Sequence, residues 1–494
     1  MKLLFIHLLY YKDSTKPGSY DRIIADLCLR LTMQFTVWRT NMIDLDRYTE
    51  VSIQNTMSAI SGLVVYSHVK DDPLIAELKD LLTEISRSPY SVEKLSDPSI
   101  QDTAGKSTLY TWMDRYTHIY AQLMNNNLSE VPDLGQYVLS LVQKDDNAFA
   151  RMASGRYAGA KNISIDPLMR QYVLADFERI LILSAFQSRN ITSILSSLSP
   201  IALPEWRHDA SGQTPVNLYE ALLAYHHEKS FGVFASFHAF LWKDHKLEPV
   251  AKPDPIRLEQ LFSYNYEISQ VQENTMRLLR HKRADNILLF GARGTGKSST
   301  VKAMSNTYKD QGLRLIEVDK DDLLTIAELL SYLTELSDVR LSFILFLDDL
   351  TFSEDDMRYT VLKTLLEGGI KTRPENVAIY ATSNRRHIVA EKDTNETYAN
   401  DAKDEKLSLS DRFGISVRFA SPNQQVYLDI VFGILTDRQI PFDREITAQK
   451  ALTWAMRENG RSPRTARQFA DYYEATFDSP VNLTPTETSP YKEI

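Results

Sequence analysis

Residues Gly291 to Ser298 read GARGTGKS, which satisfies the spacing G-x-x-x-x-G-K-[ST]. Gly291, Gly294 and Gly296 permit a tight loop whose backbone N–H groups, together with those of Ala292, Arg293 and Thr295, can face an anion. Lys297 then suits the β and γ phosphates of a nucleotide, Ser298 suits Mg2+, and Ser299 continues the loop into a helix. Arg293 has two readings, a contact to phosphate or to a neighbouring subunit, and plain solvent exposure. Further on, the apolar run FILFL ends in Asp348 and Asp349. An acid at the end of a buried strand can hold Mg2+, which assigns the metal to Asp348 and Ser298. Asp349 is placed to orient, or take a proton from, an attacking water. In ATSNRRH, Asn384 is the first choice for a polar contact to the γ phosphate or that water, with Ser383 second.

The elements around these residues have the right character to position them. NILLF, LRLIEV, SFILFL and NVAIYA are short runs of strand-forming residues separated by helix-compatible segments. Runs apolar at every position predict strands buried on both faces, as in a parallel α/β sheet. STVKAMSNTYK after the glycine loop reads as a helix, whose N-terminus favours negative charge. This gives an α/β nucleotide-binding domain over 256–420. A helical segment follows over 421–478: Ser421, Pro422 and Gln424 form a capping-box arrangement, Gly460 stops a helix, and Ser462 with Pro463 begins another. Residues 479–494 have little to bury and are expected to be a disordered tail.

Upstream, residues 1–245 read as a mostly helical N-terminal region of unknown role. In DPLMRQYVLADFERILILSAF, Asp166 can cap, and Leu168, Tyr172, Leu174, Phe177 and Leu181 recur near helical spacing. In PLIAELKDLLTEISR the same holds for Leu74, Leu78, Leu81, Leu82 and Ile85. Residues 217–242 predict one or two buried helices. His226, His227 and His238 lie there without a metal-binding spacing. Pro249, Pro253 and Pro255 mark 246–255 as an extended linker.

Taken together the motifs resemble those of the AAA+ ATPases. Gly291–Ser298 matches Walker A, FILFLDD matches Walker B, and ATSN matches sensor 1. LSDRFG resembles the arginine-finger segment of bacterial replication initiators and branch-migration motors and implies a finger at Arg412. SPRTAR resembles a sensor 2 helix and implies Arg464, with Arg461 and Arg467 close by. GARGTGKSS, LEGG, RPENVAIYATSNRRH and EKLSLSDRFG are similar to an uncharacterised bacterial AAA+ group described only as a domain of unknown function. The resemblance implies a P-loop core with a five-stranded parallel sheet, a C-terminal helical lid, ATP and Mg2+ as ligands, and a homo-oligomeric ring, a hexamer being one form. Tyr264 and Tyr266 occupy the place where such chains shape an adenine pocket, but they read equally as core residues. The polar stretch 391–406 is a surface loop or a partner contact.

Composition limits the alternatives. At 494 residues the chain exceeds one hydrophobic core, and 43% hydrophobic with 24% charged residues is ordinary for a soluble protein. The net charge of −9 gives no overall attraction to nucleic acid or anionic lipid. A single cysteine, Cys28, excludes an intramolecular disulfide. MKLLFIHLLYYKDS has no small-residue cleavage pattern, and no apolar stretch is long enough to span a bilayer. The expectation is a cytoplasmic protein without membrane insertion, acting on an unknown protein or nucleic-acid partner. Asp349 is one methylene shorter than the usual glutamate, so without backbone adjustment its carboxylate falls roughly 1.5 Å short. That predicts slow ATP hydrolysis coupled to lid and subunit motion. The alternative is a nucleotide-gated oligomeric scaffold with negligible hydrolysis. Glu354 is a further acid that only a loop excursion would bring in.

Overall fold

The computed structural model describes residues 47–88, 103–126, 131–155, 165–196, 202–208, 213–352, 356–367, 373–385, 412–458 and 460–478. Cys28, Glu354, His387, the stretch 391–406 and the tail 479–494 lie outside them. The chain forms two compact units, Met1–Val142 with Arg170–Tyr219, and Gln143–Met169 with Glu220–Ile494.

The first unit is helical among the described residues. Helix Pro73–Arg87 is capped by Asp72, which accepts from the Leu74 and Ile75 amides, and it buries Leu74, Leu78, Leu81, Leu82 and Ile85 as their spacing predicts. Helix Pro167–Ser184 is capped by Asp166, but its buried side differs from the expected one. Leu168 and Tyr172 are exposed, whereas Val173, Asp176, Phe177 and Ile180 are buried. The unexpected member is Asp176. Its carboxylate accepts from the Val64, Val65 and Tyr66 amides at 2.7–3.0 Å, so an acid lies at the centre of the buried side. A periodicity count treats such an acid as a surface residue.

The second unit is built on a seven-stranded sheet of order β2-β1-β4-β5-β6-β3-β7. The strands are β1 Ala239–Lys243, β2 Lys246–Pro249, β3 Ile287–Gly291, β4 Leu313–Val318, β5 Ser342–Leu347, β6 Val377–Ser383 and β7 Ile415–Phe419. All pairs are parallel except β1–β2. The expectation of five strands is therefore corrected to seven. The extra pair is a hairpin drawn from segments predicted as helix and linker. Asp244 and His245, with φ of 48° and 62°, make its two-residue turn. Both lie in the left-handed region such turns require, here without the usual glycine.

The helices used below are α1 Asn265–Leu279, α2 Lys297–Tyr308, α3 Ile326–Glu335, α4 Met357–Glu367, α5 Gln424–Asp437, α6 Arg444–Arg457 and α7 Pro463–Asp478. Alternate strand residues feed two cores. Ile287, Leu289, Ile344, Phe346 and Tyr380 pack with α1, α2 and α5 to α7. Leu288, Phe343, Leu345, Leu347 and Ile379 pack with α3, α4, Phe231 and Phe234. Two covered faces explain why every residue of β5 is buried. Asn423, not the predicted Ser421, caps α5, accepting from the Val426 amide. No helix among the described residues is long and apolar enough to cross a membrane.

Candidate functional site

The glycine loop leaves β3 and enters α2, so the end of the strand and the start of the helix present its amides to one spot. Gly291 has φ 139°, and a Cβ there would lie 2.0 Å from the Phe419 carbonyl oxygen of β7. No side chain fits against that backbone. Gly294 has φ 75° and a would-be Cβ 3.1 Å from both Arg464 Cβ and Ser462 Oγ, where the start of α7 closes on the loop. The Arg464 amide donates to the Gly294 carbonyl at 3.2 Å. Thr295, 2% exposed, pins the loop by donating from Oγ1 to the Ala292 carbonyl at 2.9 Å.

Lys297 is the first residue of α2 and is buried. Its Nζ donates to the Gly291 and Ala292 carbonyls at 2.9 and 2.8 Å, and to Asn384 Oδ1 at 3.3 Å. Burial holds its ammonium below the usual lysine range, while Asp349 and Asp348 oppose that shift. Ser298 Oγ donates to Asp348 Oδ1 at 2.6 Å.

The two aspartates follow β5 directly, and both carboxylates are exposed to the cavity. Asp349 has φ 49°, a left-handed conformation that costs most residues about 1–2 kcal/mol and that Asp and Asn adopt most readily among those with a side chain. The kink turns its side chain onto Asn384, whose Nδ2 donates to Asp349 Oδ1.

Together these residues line a cavity of about 600 Å³, within the range of small-molecule sites. Arg293, Gly294 to Ser299, Asp348, Asp349, Asn384 and Arg464 all face it. Ser383 does not, because its Oγ donates inward to the Leu350 carbonyl at 3.0 Å. Tyr264 lines the cavity while its hydroxyl donates to the Ala420 carbonyl at 2.8 Å and its ring packs 5.3 Å from Phe419. Tyr266 is 72% exposed and lies elsewhere. Arg467 lines the cavity and Arg461 does not.

Arg412 stands apart. It precedes β7, which pairs in parallel with β3 from Ile415↔Ile287 to Phe419↔Gly291. The loop leaves the far end of β3, so the whole of β7 lies between Arg412 and the loop's edge of the sheet, about 13 Å for its four rises.

Sequence reasoning missed four residues, three that line the cavity and one beside Asp348. Thr382 Oγ1 donates to Asp348 Oδ1 at 2.6 Å and accepts from the Asp349 amide at 2.8 Å. Glu317, the one acid in LRLIEV, has its carboxyl pushed up by burial, and Asp348 adds to the shift. Gln260 and Phe262 complete the wall beside Tyr264. Only Glu317 had a signal, a lone acid inside an apolar run.

The donor set suits Mg2+. Ser298 and Asp348 offer hard oxygens side by side, and Mg2+ commonly takes one carboxylate with waters and phosphates. Among the described residues no group of three or more His, Cys, Asp or Glu could hold a metal. His226 is buried with Nδ1 on the Ser230 carbonyl, and His238 pairs with Asn306.

Residues 235–477 match a family described as "Protein of unknown function (DUF815)". No curated protein matches the chain in sequence. Among solved structures it is similar to the Thermotoga maritima RuvB Holliday junction branch migration motor, at 13% identity and TM-score 0.33, over 45% of this chain and 66% of that one. It is also similar to a DNA replication initiation factor, at 20% identity and TM-score 0.30, over 46% and 65%. The chain thus spans just under two thirds of the length of those structures.

Proposed function

We propose that residues 235–477, which match the family described as a protein of unknown function, form an AAA+ P-loop domain, and that the chain binds ATP with Mg2+ and hydrolyses it. The single observation that carries this reading is the convergence of Lys297, Ser298, Asp348, Asp349, Asn384 and Arg464 on one cavity. A chain that only stored a nucleotide would have no use for an acid turned into the cavity by a strained backbone and held by a second polar side chain.

In this reading the loop amides and the N-terminus of α2 receive the phosphates. Lys297 exchanges its carbonyl partners for phosphate oxygens, and burial strengthens its charge–charge contact there. Ser298 and Asp348 would hold Mg2+, which would supply charge neutralisation at the phosphate oxygens. Asp349, steadied by Asn384, orients the attacking water and takes its proton as ADP and phosphate form. Arg464 reports the γ phosphate to the helices α5 to α7, which act as a lid, because its amide already rests on the Gly294 carbonyl. Arg412 does not line the cavity of its own chain, and in the proposed arrangement it serves that of a neighbouring copy. The working form is therefore a homo-oligomer, a ring in the proposed arrangement, whose motion acts on a protein or nucleic-acid partner.

The test combines nucleotide binding with phosphate release. Lys297→Ala should lose binding, while Asp349→Asn should keep binding and lose turnover. Unchanged phosphate release by Asp349→Asn would remove that residue from the reaction.

A further inference from the structure

We propose that Thr382 is the positioning residue for both aspartates, its one hydroxyl setting the metal carboxylate and the turn that presents Asp349. The inference rests on the roles given above to Asp348 and Asp349.

Thr382 lies on β6, one position beyond the Leu347↔Ala381 pair that ends the β5–β6 ladder. Past that point the chain after β5 no longer pairs as a strand, and side-chain bonds join one remaining backbone bond. A hydroxyl has one proton to give and lone pairs to receive. A carboxylate only accepts and an amide only donates. The directions are therefore forced: Thr382 Oγ1 donates to Asp348 Oδ1 at 2.6 Å and receives the Asp349 amide at 2.8 Å. The Thr382 carbonyl takes the Leu350 amide at 2.8 Å, and Ser383 Oγ returns a bond to the Leu350 carbonyl at 3.0 Å. Two consecutive residues of β6 thus stitch down all three residues that follow β5.

The consequence is specific to Asp349. At φ 49° its amide is shared between Thr382 Oγ1 at 2.8 Å and Asp348 Oδ1 at 3.2 Å, and the Thr382 bond is the shorter of the two. At 2% exposure Thr382 has no ready substitute in bulk water. Ser298 also donates to Asp348 Oδ1, so two hydroxyls, one from α2 and one from β6, fix the same oxygen from different elements. β-Branching restricts the Thr382 side chain to few rotamers, which aims the hydroxyl before any ligand arrives.

The experiment compares Thr382→Val, which keeps shape and removes the hydroxyl, with Thr382→Ser, which keeps the hydroxyl. The first readout is equilibrium binding of a fluorescent ATP analogue titrated with MgCl2, with EDTA as the zero. For Thr382→Val the Mg2+ concentration giving half-maximal enhancement should rise about tenfold, as for loss of one bond to a charged group. Binding in EDTA should stay near wild type. Phosphate release should fall about 10²-fold, from a misplacement near 1 Å, with little change in KM. Thr382→Ser should restore both to within about threefold. A Thr382→Val protein with wild-type Mg2+ dependence, or a Thr382→Ser protein as impaired as Thr382→Val, overturns the inference. If Thr382→Val lacks the wild-type melting transition, Thr382→Cys, of similar size but a weaker donor, is read in the same two ways. Wild-type binding indifferent to Mg2+ would sink the Asp348 assignment and this inference with it. Mg2+-dependent wild type with an unaltered Thr382→Val sinks this inference alone.

Discussion

Replacing Asp349 with glutamate, the residue more usual at such a place, should lower activity rather than raise it. Asp349 sits at φ 49° with its carboxylate already on Asn384. A glutamate there meets two penalties. The left-handed backbone is less tolerant of a longer side chain that lacks the local hydrogen bonding of Asp, a cost of about 1 kcal/mol. The added methylene also carries the carboxylate roughly 1.5 Å past its present position. A misplacement of about 1 Å costs on the order of 10² in rate, or about 2.7 kcal/mol in the barrier. Phosphate release under saturating ATP and Mg2+ should therefore fall about 10²-fold in Asp349→Glu. Analogue binding should be unchanged, because the loop and Lys297 are untouched. The assay is steady-state phosphate release beside an equilibrium binding titration on the same preparation. Turnover in Asp349→Glu equal to or faster than wild type would refute the idea that the backbone kink delivers the short acid.

Two other outcomes follow from the geometry. Arg412→Ala should abolish phosphate release while leaving binding intact, and mixing it with Asp349→Asn should recover some activity, since both lesions can then fall in one cavity and leave another with a native Asp349 and a native Arg412. Mixtures no more active than their components would place Arg412 outside the reaction. Tyr380 concerns stability: it is fully buried, and burial pushes its phenol up to about 12, while Thr275 and Asn274 bond its hydroxyl. The folded state prefers the neutral phenol, so this contribution is complete below the unfolded pKa of about 10 and is lost as pH rises through about 12. Tyr380→Phe should cost about 1 kcal/mol near neutral pH. Urea midpoints should then show the gap to wild type narrowing above about pH 10, and a constant gap would contradict the assignment.

Much of the site was legible because its residues carry chemistry in a fixed local order. GARGTGKS specifies a loop and the helix after it, and FLDDL specifies a buried strand ending in acids, so Lys297, Ser298, Asp348 and Asp349 could be placed from spacing alone. What stayed hidden depends on contacts between distant segments. Thr382 looks like any strand threonine until β6 lies beside β5. The sign of φ at Asp349 decides whether a short acid reaches its partner, and no residue pattern encodes it. The β1–β2 hairpin was misread because Asp244-His245 is a rare way to make its turn and AFLW also suits a helix. The burial of Asp176 has no signal in the helical pattern, because its three backbone donors lie more than a hundred positions away in sequence.

The most direct measurement is a single-turnover experiment: excess wild-type protein is loaded with ATP and Mg2+, quenched over time, and its bound nucleotide identified. The result expected is conversion of bound ATP to ADP with stoichiometric phosphate, absent in Asp349→Asn. Recovery of the bound ATP intact from the wild type, at times when Asp349→Asn looks the same, would contradict hydrolysis at this site.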